Sequence, residues 1–247
     1  MNRTVLLTGA SGGLGKYYAE ALAKEGYSLA LQYNTGKEKI GELLKSLESF
    51  KVRVKAYRAD ITSEQQACSL VADALKDFGS IDILINNAGI SIDGTVRNLT
   101  LKQWNDTLAV NLTAPFLLAR EVLPLMKKNN FGRIINISSV VAKTGVPGTA
   151  AYAASKAGLE GFTKATAKEA AKNNITVNTL CLGYFNTGTT GMLHRIPADL
   201  REKIQHSIPK DEFGNPSEAA RCIIYLCSEQ ASYMTGQTLH LNGGLYS

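Results

Sequence analysis

Thr4-Val5-Leu6-Leu7-Thr8-Gly9-Ala10-Ser11-Gly12-Gly13-Leu14-Gly15 is the stretch whose reading decides the architecture. Its apolar, β-branched start reads as a buried strand. The run then breaks into a glycine-rich turn that opens a helix-like stretch over about 14–25. Glycines at such a junction let the backbone turn tightly and approach a pyrophosphate, whose charge is met by the amides of the helix N-terminus. The spacing is Gly-x-x-x-Gly-x-Gly, not the Gly-x-Gly-x-x-Gly of ordinary dinucleotide folds.

The same alternation continues outward from this unit. Strand-like runs occur at Thr4–Thr8, Ser28–Tyr33, Val52–Tyr57, Ile81–Ile85, Arg133–Ile137, Thr176–Cys181 and Thr238–Leu241. Helix-like stretches fall at about 14–25, 37–49, 64–77, 101–127, 152–173 and 216–228. In the second of these, Ile40, Leu43, Leu44 and Leu47 form a stripe among lysines and glutamates. Ser63 and Gln66, three residues apart, match a capping box. Hydrophobic strands alternating with helices mean an α/β fold: a doubly wound, Rossmann-type, mainly parallel sheet of seven strands covered on both faces. No linker, repeat or low-complexity segment divides residues 1–247, so one domain is expected. A long Gly/Thr-rich insertion after the sixth strand, at about 184–210, is placed where open α/β sheets bind ligands and reads as a substrate lid.

Composition narrows the field of functions. With 45% hydrophobic and 19% charged residues, the 247-residue chain is a folding, globular one. Nothing resembles a secretory leader or an uninterrupted apolar span of membrane length, so no membrane partner is expected and a cytoplasmic protein is. Cys68, Cys181, Cys222 and Cys227 lack CxxC spacing and pair with no suitable histidine, which predicts no metal site and thiols in a reducing compartment. The net charge of +6 is spread along the chain, without a basic run interleaved with aromatics. No nucleic-acid partner is expected, and a mild excess of cations suits ligands that carry phosphates.

Further along, Ser139-Val-Val-Ala-Lys-Thr-Gly-Val-Pro-Gly-Thr-Ala-Ala-Tyr152-Ala-Ala-Ser-Lys156 places a phenol and an amine four residues apart, on one face of a helix. A cation about 4 Å from a phenol, at an effective dielectric near 20, attracts its phenolate by at most about 4 kcal/mol, roughly 3 pKa units. That attraction would bring the phenol from about 10 towards 7, where it exchanges protons at neutral pH.

The glycine loop, Asn86-Asn87-Ala88-Gly89 after the fourth strand and Tyr152-x-x-x-Lys156 make the chain resemble the short-chain dehydrogenases/reductases over essentially its whole length. The resemblance includes Asp60 after the third strand, Asn111 in the long helix, Ser139 and the C-terminal Asn242-Gly243-Gly244. It implies a catalytic set of Asn111, Ser139, Tyr152 and Lys156. Tyr152 would protonate a carbonyl oxygen as hydride arrives, and Ser139 would hydrogen-bond that oxygen. Lys156 would lower the tyrosine pKa and hold the nicotinamide ribose, and Asn111 would support a water that carries protons. The implied cofactor contacts are Gly9, Ser11, Gly12, Gly13, Leu14, Gly15, Tyr33, Asn34, Thr35, Asp60, Ile61, Asn87, Ala88, Gly89, Tyr152, Lys156, Gly183 and Thr187. Among these, Asp60 would meet the adenine amino group and Thr187 the carboxamide.

Tyr33-Asn34-Thr35 ends the second strand without a carboxylate and Lys37 follows, which points to NADP(H). Many NADP-dependent relatives carry an arginine in the glycine loop, where this chain has Gly12. The last third, from Asn174-Ile-Thr-Val-Asn178 to Thr235-Gly-Gln-Thr-Leu-His240, resembles 3-oxoacyl-(acyl carrier protein) and acetoacetyl-CoA reductases. Their substrate would be a 3-oxoacyl thioester on acyl carrier protein or CoA, reduced to the (3R)-hydroxyacyl thioester, as in fatty acid biosynthesis. The alternatives are a reductase of another small ketone or secondary alcohol, such as a sugar, or a non-catalytic dinucleotide sensor. Asn130 and Asn173 replace arginines of the carrier-protein enzymes, with Lys127, Lys128 and Lys172 beside them. Leu182 replaces a family proline, which frees one backbone torsion beside the nicotinamide and would either loosen the site or alter the lid. The resemblance also implies a homotetramer built on the two long helices. The small residues Ala153, Ala154, Ala157, Gly158 and Gly161 would suit either that contact or packing within one subunit.

Overall fold

The structure is a computed structural model that describes residues 3–188 and 192–247. Seven strands form one all-parallel sheet: β1 Thr4–Leu7, β2 Ser28–Tyr33, β3 Val54–Arg58, β4 Ile83–Asn86, β5 Gly132–Ser139, β6 Ile175–Leu182 and β7 Thr238–Leu241. Their order is β3-β2-β1-β4-β5-β6-β7, so the winding reverses between β1 and β4. A ligand crevice opens at the carboxyl ends of the strands at such a reversal.

Alternation along each strand sends apolar residues to both faces. Val5 and Leu7 pack with Tyr18 and Leu22 of α1 (Gly15–Lys24), Ile40 and Leu43 of α2 (Lys37–Leu47) and Ile223 and Leu226 of α9 (Pro216–Cys227). Leu6 and Leu84 turn the other way, towards α3 (Glu64–Phe78), α5 (Ala114–Lys128) and α7 (Ala150–Ala170). Both sheet faces are therefore dry, which is why the strands read as continuous hydrophobic runs.

The long helix expected at 101–127 is three pieces: α4 (Leu101–Leu108), a π-helical segment Ala109–Thr113, and α5. By length and hydropathy, Leu101–Lys128 would suffice to cross a membrane. Leu117, Leu118, Val122 and Met126 are nevertheless committed to the sheet. Gly158 lets α7 close on the π segment, because a Cβ there would stand 3.0 Å from Leu112. That small residue is used within the chain, while Ala154, Ala157 and Gly161 are exposed.

Three local expectations are corrected. Ser63 caps α3 by accepting from the Gln66 amide, but Gln66 Oε1 reaches the amide of Asp60 instead of closing a box. The reciprocal boxes are Thr100–Gln103 and Asn215–Glu218. Two helices went unforeseen, the short α6 (Val141–Thr144) and α8 (Ala198–Ser207). Leu182 does not loosen the backbone. It extends β6, its side chain is buried in the core, its carbonyl accepts from Val140 N and the next amide, Gly183 N, donates to Leu241 O.

Candidate active site

The β1 and β4 ends interlock where the winding reverses. Thr8 Oγ1 accepts from the amides of Asn87 and Ala88, both at 3.0 Å. Asn87 Nδ2 donates back to the carbonyls of Thr8 and Gly9. Gly9 has a φ of +64°, and a Cβ there would meet Ala88 Cα at 2.8 Å, so only glycine fits. Gln32 holds this turn from β2. Its Oε1 accepts from Gly9 N at 2.9 Å and its Nε2 donates to Ala59 O at 2.7 Å. Gly13 keeps open space beneath Thr187, whose Oγ1 would lie 3.1 Å from a Cβ. The result is a bare backbone cradle that a cofactor pyrophosphate fits.

Beside the cradle, α7 brings Tyr152 and Lys156 to the wall that Ser139 reaches from the end of β5. Lys156 is buried and its Nζ donates to Ile137 O at 2.7 Å, 5.8 Å from the Tyr152 ring centroid. Burial pushes the Lys156 pKa down to about 8. Burial likewise raises the Tyr152 phenol, opposed by a hydrogen bond with Ser139. The expected direction is thus reversed: desolvation holds the phenol neutral, and the lysine is the group brought towards neutrality.

Asn111, fully buried at the centre of the π segment, stands behind this pair. Its Oδ1 accepts from Ile90 N, and its Nδ2 donates to Ile90 O and to Ser155 Oγ. Ser155 Oγ in turn donates to Tyr152 O at 2.7 Å. Asn111 therefore ties the β4 loop to the backbone of Tyr152. Gly89 lies between the two, because a Cβ on it would sit 3.3 Å from Asn111 Oδ1 and 3.4 Å from Lys156 Nζ. Asn111 lies buried within this π segment, and such bulges are frequent at functional sites.

One cavity of about 710 Å³ joins these parts. At one end lie Gly9, Ser11, Gly12, Gly13, Leu14, Asn34 and Thr35, and at the centre Asn87, Gly89, Ser139, Tyr152, Lys156, Gly183 and Thr187. The far end is mostly apolar, with Val141, Val146, Pro147, Leu193, Ile196, Leu200 and Ile204. The last two belong to α8, within the insertion after β6. Its residues 189–191 fall outside the described residues. His206 Nδ1 meets Asp211 Oδ1 at 2.8 Å and closes the end of α8.

The remaining expected contacts stand outside the cavity lining. Gly15 closes the loop from beneath, where a Cβ would hit Gly9 O at 2.4 Å. Ala88 backs Gly9, Tyr33 packs on the α1/α2 face of the sheet, and Ile61 is buried with β3 and α3. Asp60 Oδ1 is occupied by the amide and hydroxyl of Thr62. Sequence reading missed Gln32, Ser155, Ser91, Asp93 and the α8 leucine and isoleucine. Only α8 left a signal, an apolar pair at i and i+4 in an otherwise polar segment.

Comparisons with known proteins agree with this geometry. A family model described as enoyl-(acyl carrier protein) reductase matches residues 9–246. A 3-oxoacyl-[acyl-carrier-protein] reductase of Staphylococcus epidermidis is 36% identical over 246 residues, covering 100% of both chains. Nodulation protein G of Rhizobium sp. (strain N33) is 42% identical over 243 residues, 98% of this chain and 96% of that one. A solved chain from Sinorhizobium meliloti 1021, assigned as a short-chain alcohol dehydrogenase, matches with a TM-score of 0.93 at 32% identity, over 99% of this chain and 97% of its own.

Proposed function

The chain belongs to the short-chain dehydrogenase/reductase family, and we propose that it reduces 3-oxoacyl thioesters, carried on acyl carrier protein or CoA, to (3R)-3-hydroxyacyl thioesters with NADPH. It is an oxidoreductase of the kind that uses a nicotinamide dinucleotide. The observation that carries the substrate reading is the junction inside the cavity. Two hydroxyls, Ser139 and Tyr152, share a wall with the cofactor cradle on one side and an aliphatic compartment on the other. An alkyl chain suits Val141, Val146, Leu193, Ile196 and Leu200, the aliphatic side chains of that compartment.

When bound, the dinucleotide supplies a hydride to the substrate carbonyl carbon. Ser139 and Tyr152 orient the carbonyl oxygen, and the Tyr152 phenol gives it the proton that completes the alcohol. Burial keeps that phenol protonated until it is needed. Lys156, with a pKa of about 8, is the proton donor that refills it. Asn111 holds the helix register through Ser155, and in this reading it would support the water that carries protons from Lys156 to solvent. Gly9, Ser11, Gly12, Gly13 and Leu14 would hold the cofactor phosphates, and Asn34 and Thr35 its adenosine ribose, all of them lining one end of the cavity. The whole chain acts as one catalytic domain with residues 184–210 as lid.

Lys127 and Lys128 close α5 just before β5 begins, so within one chain they stand at the amino end of the strands, opposite the cavity at their carboxyl ends. Asn130 is at a φ of +48°, and Phe131 N donates to Met126 O. This is a Schellman-type helix stop, in which asparagine tolerates the left-handed backbone. A carrier protein that used these lysines would have to reach the cavity of another subunit, which is compatible with a homotetramer.

The test is NADPH oxidation with acetoacetyl-CoA, acetoacetyl carrier protein and a panel of free ketones and sugars. Reduction of a thioester with the highest kcat/KM is expected. Preference for a sugar or a free ketone would replace the substrate reading.

A further inference from the structure

Gly12 removes the cation that many NADP-binding relatives place in the glycine loop, yet two other elements bring cations beside the turn whose Asn34 and Thr35 line that end of the cavity. Arg58 is the last residue of β3 and pairs in register with Tyr33 of β2. Its Nε donates to the carbonyl of Asn34 at 3.3 Å, which carries the guanidinium across the end of β2. Among the described residues, neither of its terminal nitrogens has an acceptor. Lys39, on the first turns of α2, runs its stem past the same turn. A Cβ on Gly36 would lie 3.8 Å from Lys39 Cδ and 3.5 Å from Ser11 Oγ. Ser11 donates to Thr35 O at 3.1 Å and so locks the glycine loop to this turn. The carboxylate that lines the cavity, Asp93, belongs to the loop beside Thr149, at the substrate end.

We infer that Arg58 is the residue that selects the 2′-phosphorylated cofactor, with Lys39 in support. The inference rests on the NADPH reading above and names the group responsible for it. A guanidinium held by Nε and open at both terminal nitrogens presents a planar fork to a phosphate. An unphosphorylated ribose offers that fork no comparable charge. Asn34 contributes through its carbonyl, by fixing the plane of the fork, so the strand end that lacks a carboxylate becomes a support for a cation reaching over from β3.

The experiment is calorimetric titration of the protein with adenosine 2′,5′-bisphosphate, NADPH and NADH, for wild type, Arg58→Gln, Arg58→Lys and Lys39→Gln. Michaelis constants for both cofactors are measured in parallel. Arg58→Gln is expected to weaken NADPH and the bisphosphate by roughly ten- to a hundredfold and to leave the NADH dissociation constant within about twofold. Arg58→Lys should recover part of the loss, and Lys39→Gln should cost less, about two- to fivefold, as an exposed cation. Equal weakening of NADH and NADPH by Arg58→Gln overturns the inference, because it marks a merely structural role. Unchanged NADPH binding overturns it too and leaves the NADPH reading standing. A wild-type protein that binds NADH more tightly than NADPH overturns that reading itself, and the inference with it.

Discussion

Helices α7 and α8 line the same cavity and are held in opposite ways. α7 runs for 21 residues with nine of them buried, and its polar residues are locked as firmly as its apolar ones. Thr163 accepts from Asn136, Ser155 joins Asn111, and Glu160 pairs with Lys143 and Ser138. α8 has ten residues and none is buried. Its Leu200 and Ile204 touch mainly the cavity, and its far end is closed by the exposed His206–Asp211 contact. The groups that would move a proton thus sit where the core dictates position to a fraction of an ångström. The groups that would choose the acyl chain sit where position costs little to change. Such a division lets the chemistry stay fixed while the substrate range varies.

The sharpest way to break this contrast is Lys156→Met. Activity should fall by roughly a hundred- to ten-thousandfold, while the protein becomes more stable. The sign follows from the depressed pKa of about 8 in the folded chain against about 10.4 unfolded. Below pH 8 the buried ammonium carries its full desolvation cost. Between about 8 and 10.4 the unfolded chain binds more protons, so wild-type stability rises with pH across that window. The variant lacks the cost and also the bond to Ile137 O. Its advantage should be on the order of 1–2 kcal/mol at pH 7 and shrink by pH 10, read from urea midpoints at both pH values. A variant less stable than wild type at pH 7 would show that Lys156 is a structural residue first.

Lys143→Met probes the same rigid side without touching the cavity. Glu160 retains only 4% side-chain exposure and would be left with no cation, only Ser138 as donor. Lys143 itself is a quarter exposed, so the loss should be about 2–3 kcal/mol, below the usual cost of a fully buried broken pair. The double variant Lys143→Met/Glu160→Leu should recover most of it in the same denaturation assay. If the single variant matched wild type, the anchoring of α6 to α7 would carry no weight.

On the α8 side the expectation is inverted. Leu200→Ala and Ile204→Ala should each change stability by less than about 0.5 kcal/mol. They should raise KM for a medium-chain 3-oxoacyl thioester about three- to tenfold, with little effect on the acetoacetyl thioester. Michaelis constants across a chain-length series check this, and a uniform effect on every length would remove the compartment from the account of selectivity.

The sequence made α7 legible and α8 nearly opaque, for physical reasons. Tyr152 and Lys156 declare themselves because a four-residue spacing on a helix fixes their neighbourhood before any tertiary contact is known. The glycine loop does so because only close backbone approach explains its composition. Both sheet faces are apolar, so the strands were readable to within about two residues, and β5 and β6 ran longer because their ladder continues through Ser139 and Leu182. Gln32, by contrast, works on a turn 23 residues away through its side-chain amide, and nothing local marks that. The π segment at Asn111 contains no helix breaker, and what Asn111 bonds, the Ile90 backbone, is adjacent only in space. Arg58 carries no mark in the sequence, and the register with β2 together with its bond to Asn34 O places it at the end of β2.

The central claim is that Tyr152 delivers the proton to a substrate oxygen within this rigid half. It is tested most directly by Tyr152→Phe, assayed for NADPH oxidation with the best thioester alongside NADPH titration and a urea melt. The account predicts a fall in kcat of at least about a hundredfold, with cofactor affinity and unfolding midpoint close to wild type. Full turnover by the phenylalanine variant would contradict it.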